Sequence, residues 1–83
     1  MQENIEIHIG REIRNQLATQ KRSVAWLAEQ LYCDASSLRK QLKKTYISTD
    51  LLYRISNILN KDFFVFYSRQ LGKKTQNEQN LPE

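Results

Sequence analysis

The chain has 83 residues, 40% hydrophobic and 27% charged, with a formal net charge of +4. That composition describes one small globular domain whose large apolar residues must nearly all serve a modest core. It excludes an internal disulfide framework, since Cys33 is the single cysteine, and no apolar run nears the roughly 18 residues that span a bilayer. Glu3 and Glu6 stand where a secretory leader would carry basic residues, and a lone thiol suits a reducing compartment. The expected location is therefore cytoplasmic, away from membranes.

Ile5, Ile7 and Ile9 alternate with polar residues, a strand-like period over a very short run. From Ile9 the step becomes four, through Ile13 and Leu17, and predicts a helix from about His8 to Thr19 behind an extended lead-in at 5–7. Gly10 weakens the first turn of that helix by about 1 kcal/mol relative to Ala. Close approach of another helix would account for it.

The stretch from Ser23 to Lys44 contains neither glycine nor proline, and Val24, Leu27, Leu31, Ala35, Leu38 and Leu42 recur along it at helical steps. One helix of this length would run about 33 Å, overhang its neighbours and leave Trp26 off the apolar stripe. Two shorter helices let the four leucines converge on one core. Asp34 is a strong N-cap for the second, and Ser36 and Ser37 are comfortable in a first turn. With no glycine available, Tyr32 in the left-handed region would cost roughly 1–2 kcal/mol. Burying one leucine returns roughly 1.5–3 kcal/mol, so a break at Tyr32–Asp34 is expected.

Ser48 or Thr49 caps a fourth helix, with Asp50 in its first turn, a stripe of Leu51, Leu52, Ile55, Ile58 and Leu59, and Asn60 to end it. Asp62 offers an N-cap for a short fifth helix through Phe63–Leu71, and no strand is in sight to pair with that segment as a sheet. The expected fold is all-α, a compact five-helix domain over 1–71. From Gly72 the sequence is polar and is expected to form a mobile tail over 72–83.

His8 is the only histidine and lies far from Cys33 in sequence, so no metal site of usual ligand count is expected. Cys33 has no base or oxyanion donor that can be named near it, and reads as a turn or core residue. Trp26 reads as core. No catalytic constellation is visible, so no enzyme, cofactor or small-molecule ligand is expected.

"SVAWLAEQLYCDASSLRKQL" resembles the helix-turn-helix of the lambda-repressor-like, or XRE-type, bacterial regulators. The match consists of Ser23 opening the second helix, the Leu27–Ala28 pair, Leu31, Asp34 at the recognition-helix cap, and Leu38 and Leu42 inside that helix. With Ile13–Arg14 upstream and "STDLLYRISNILNKDFF" downstream, the resemblance covers about residues 8–68 and looks most like a compact, single-domain branch. The sequence departs from the pattern at Tyr32, the usual turn glycine, at Lys21, the usual glycine before the second helix, and at Val24, where a phosphate-contacting glutamine is frequent.

The resemblance implies a sequence-specific DNA-binding regulator, and the charges agree. No acidic residue lies between Asp34 and Asp50, while Arg39, Lys40, Lys43 and Lys44 fall together. With a recognition helix over about Ala35–Lys44, a helical wheel puts Ala35, Leu38 and Leu42 inward and the basic residues outward. Ser36, Ser37, Arg39 and Lys40 are the expected base-edge readers in the major groove. Lys21, Arg22, Ser23, Lys43, Lys44 and Thr45 are the expected phosphate contacts. Relatives in the family typically bind as dimers, which makes Phe63, Phe64, Phe66 and Tyr67 the candidate self-association surface. A different class of function competes: a helical interaction module, antitoxin-like or accessory, whose basic face binds an acidic protein.

Overall fold

The computed structural model describes the backbone of residues 6–76 and the side chains of residues 6–72. Five helices follow in order: α1 Ile9–Thr19, α2 Val24–Leu31, α3 Ala35–Lys43, α4 Thr49–Leu59 and α5 Val65–Gln76. Among the described residues there is no strand, so the fold is all-α. The lead-in at residues 6–8 is irregular, and Ile7 packs against the core; Ile5 lies outside the described residues.

Each of the first four helices starts on a side-chain cap. The His8 Nδ1 atom accepts from the Arg11 amide, Ser23 Oγ from Trp26, Asp34 Oδ2 from Ser37, and Ser48 Oγ from Leu51, all at 3.0–3.1 Å. These bonds satisfy amides that have no partner within the helix. Three helices end in the left-handed conformation without using glycine: Lys21 follows α1, Tyr32 follows α2 and Asn60 follows α4, at φ of 58°, 58° and 55°. The same pair of closing bonds recurs. After α2, for example, the Cys33 amide donates to the Ala28 carbonyl at 3.0 Å and the Tyr32 amide to Glu29 at 3.1 Å.

The break expected inside Ser23–Lys44 is therefore present, and Tyr32 itself takes the positive φ. The strain of that dihedral is local to Tyr32 and is offset by the two closing bonds, while its side chain, 95% exposed, adds no packing clash.

The core draws on every helix up to the start of α5. Ile9, Ile13 and Leu17 of α1 meet Leu27, Ala28 and Leu31 of α2, Leu38 and Leu42 of α3, and Leu52, Ile55 and Leu59 of α4, with Phe63 closing the end. Gly10 is the residue that lets α1 and α3 come together. A Cβ there would collide with the Leu42 carbonyl oxygen and stand 2.6 Å from its carbonyl carbon, so the glycine is required by space and not by φ. The Ile9 amide donates to the Thr45 carbonyl at 3.1 Å, fastening the start of α1 to the segment that follows α3.

The last segment differs from expectation at both ends. Asp62 accepts from the Phe64 amide at 2.9 Å, but it caps a turn and not the helix, which begins three residues later at Val65. That turn delivers Phe63 into the core, fully buried, while its amide reaches Ser56 Oγ at 3.4 Å. The helix then continues through Gly72 to Gln76, five residues into the stretch expected to be a tail. The remainder of that expected tail, 77–83, lies outside the described residues.

Candidate nucleic-acid interface

The two sides of α3 differ in kind. Leu38 and Leu42 are 1% exposed and hold the helix against α1 and α2. Ser36, Ser37, Arg39, Lys40, Lys43 and Lys44 are all exposed, and Ala35 and Gln41 lie half-buried at the margins. None of the basic residues of α3 is neutralised by an ion pair among the described residues, where Arg54–Asp50 on α4, at 3.4 Å, is the pair that forms. An unpaired row of cations fixed to a buried leucine seam presents a positive surface of defined shape.

Of the four candidate base readers, Ser36, Arg39 and Lys40 face solvent alone. Ser37 is exposed too, but it lines a shallow groove with Cys33, Gln41, Ser48 and Leu51, on the side toward α4. Lys43 and Lys44 stand at the C-terminal end of α3, where their charge also favours the helix dipole. Thr45 is half-buried, its carbonyl already bonded to Ile9, so its exposed neighbours offer more to a ligand than it does. The following loop is held a second time: the Tyr46 hydroxyl donates to the Glu6 carboxylate at 3.1 Å. That bond, and the charge beside it, raise the Tyr46 pKa above its ordinary value. Burial, and then the proximity of Tyr46, do the same for Tyr67.

The other candidate group sits where α1 hands over to α2. Lys21 and Arg22 are exposed, and Ser23 caps α2. Arg22 does not hang free: its guanidinium carbon lies 4.0 Å from the centroid of the Trp26 ring. Trp26 is half-buried, packed against the core and also stacked by this cation, so its reading as simple core is incomplete.

The proposed self-association residues separate. Phe63 is fully buried, with Phe66 stacked beside it at 6.4 Å, so it closes the monomer and is removed from the surface set. Phe64, Phe66 and Tyr67 are half-buried. Leu71, 63% exposed, was not among the candidates. Its signal, the step of four from Tyr67, lies inside the helix expected over Phe63–Leu71.

Among the described residues no group of three His, Cys, Asp or Glu side chains gathers as a metal site, and no helix is long and apolar enough to cross a membrane. Compared with family models, with curated proteins and with solved structures, the chain matches none.

Proposed function

We propose that this chain is a sequence-specific double-stranded DNA-binding protein of the lambda-repressor-like type, acting as a transcriptional regulator. In this reading α2 and α3 form its helix-turn-helix and α3 enters the major groove. The observation that carries the reading is the outward face of α3 and its C-cap, four unpaired cations with small serines at the helix start, on a helix locked from behind by Leu38 and Leu42. A major groove admits a helix of that kind, and Arg and Lys donate to guanine O6 and N7. Arg39 and Lys40, with Ser36 and Ser37, read base edges; Lys21, Arg22, Ser23, Lys43, Lys44 and Thr45 hold phosphates and set the register.

One short helix makes few base contacts, so the protein binds as a dimer on half-sites about 34 Å apart. Phe64, Phe66 and Tyr67, joined by Leu71, supply the contact between copies in place of the buried Phe63. A monomeric mass by light scattering at micromolar concentration would remove the dimer from this proposal.

Binding of a labelled duplex at two salt concentrations tests the central claim. Neutralising about five phosphates gives a log–log slope of about −4 to −5. With a site selected from a random pool, Arg39→Ala and Lys40→Ala reduce sequence preference, whereas Lys43→Ala and Lys44→Ala weaken all duplexes alike. Absence of binding at low salt overturns the reading and leaves the competing one, a basic module for an acidic protein partner.

A further inference from the structure

Arg22 sits at the junction of α1 and α2 with its backbone held on both sides. Its amide donates to the Leu17 carbonyl at 2.8 Å, and the next residue, Ser23, caps α2. From this fixed base its side chain lies across Trp26, the only indole in the protein, with 4.0 Å between guanidinium carbon and ring centroid. Trp26 is half-buried and packs against the core, so the indole is anchored and is not a second fully exposed side chain.

A stacked guanidinium is only half used. Its flat face is engaged by the ring, while its N–H donors lie in the plane and point from the edge. Arg22 is exposed, and no carboxylate among the described residues pairs with its guanidinium. A cation so placed has lost rotamer freedom before any ligand arrives, and ordering a long side chain is one of the main penalties on forming a contact. Lys21 beside it has no such support: it is exposed and its ammonium is a point charge on a flexible stem.

We propose that Trp26 is a positioning residue for nucleic-acid binding: it holds the Arg22 guanidinium with its donor edge outward, ready for a backbone phosphate. The proposal rests on the DNA-binding reading and adds to it a residue that itself touches neither base nor phosphate. It also makes the Trp26–Arg22 pair a single unit, so that the ring contributes to affinity only while the guanidinium is there to be held.

The test uses the full chain and a fluorescein-labelled duplex of mixed sequence, read by anisotropy across a salt series. Trp26→Leu keeps apolar packing but removes the stacking face. It should weaken binding by about three- to tenfold and leave the salt slope as it was. Trp26→Tyr, which keeps a face, should restore most of the loss. Arg22→Ala should weaken binding further and reduce the slope by about 0.9, the share of one phosphate. In the Arg22→Ala background Trp26→Leu should change nothing, because the ring has no cation to hold.

If Trp26→Leu does not fold, Arg22→Lys carries the test, since it keeps the charge and the slope but loses the planar stack. It should then fall by the same three- to tenfold. In the free wild-type protein the Arg22 side-chain NMR signals should be shifted upfield by the indole ring current.

Wild-type affinity in Trp26→Leu, or a Trp26→Leu loss that persists undiminished beside Arg22→Ala, overturns the proposal and leaves the stack a purely structural contact. Wild-type protein that binds no duplex overturns the DNA reading and this inference together. The first pair of results leaves the DNA reading standing, which keeps the two failures apart.

Discussion

Gly10 lies inside a regular helix where glycine is a poor choice, and Tyr32 occupies a left-handed turn where glycine is the usual one. The two positions invert the expected use of the residue for opposite reasons. At Gly10 the backbone is ordinary and the space is missing, because the Leu42 carbonyl occupies the place of a side chain. At Tyr32 the space is unlimited and the dihedral is unfavourable, with the ring 95% exposed at a φ of 58°. A glycine thus reports either of two demands, and only the packing tells which. The demands also differ in size. A blocked backbone cannot yield without moving a helix, whereas an unfavourable dihedral is a local penalty of roughly 1–2 kcal/mol.

The largest expected effect follows from the first demand. Gly10→Ala gains about 1 kcal/mol of helix propensity but drives a methyl group into the α3 backbone. Overpacking of that kind costs about 3 kcal/mol or more when the neighbour is main chain, so a net loss of about 2 kcal/mol is expected. Urea denaturation should show a lower midpoint with an unchanged slope. A Gly10→Ala variant as stable as the wild type would mean that α1 and α3 do not approach as closely as the structure has them.

The second demand gives a gain. Tyr32→Gly should stabilise the fold by about 1 kcal/mol, because it relieves the left-handed conformation and the exposed ring has no contact of weight to lose. Lys21→Gly should stabilise by a similar about 1 kcal/mol, since Lys21 holds the same conformation after α1. The pair then separates stability from the proposed function. Tyr32→Gly should leave duplex affinity unchanged, whereas Lys21→Gly should weaken it and reduce the salt slope by about 0.9. Thermal melts and the salt series, run on both variants, decide whether Lys21 is kept for its charge at the expense of its backbone.

How far the sequence carried depends on the range of the signal. Asp34 announces its cap within three residues and holds, and of the two alternatives Ser48 and Thr49 it is Ser48 that caps. The repeating leucines mark the inward face of α3 correctly, because periodicity within one helix is local information. Gly10 suggested a close approach but could not say to what; Leu42 is a partner from another helix. By its sequence Asp62 suits a helix cap, yet an aspartate that accepts from the amide two residues on serves a turn equally well. The Arg22–Trp26 stack was invisible for a different reason. The two residues are four apart, but a helix boundary falls between them, and a wheel drawn from Val24 assigns Arg22 no position at all.

The smallest expected effect concerns the lead-in that precedes Gly10, where the Tyr46 hydroxyl is bonded to Glu6. Because the bond favours the protonated phenol, the Tyr46 pKa in the folded protein lies above its ordinary value of 10.0. A pKa raised by folding contributes stability that is fully present below the unfolded value and is lost as pH rises through the folded one. The contribution should therefore be constant across neutral pH and disappear only on alkaline titration. Glu6→Gln should bring the ionisation of Tyr46 back down, followed by its ring signals in NMR or by tyrosinate absorbance. Tyr67, raised first by burial and then by Tyr46, should still ionise late. If Gly10→Ala is the strong lesion and Glu6→Gln leaves neutral-pH stability untouched, the approach of α1 to α3 is set by the core. A marked loss of stability in Glu6→Gln at neutral pH would instead make the Tyr46–Glu6 clamp part of what holds the two helices together.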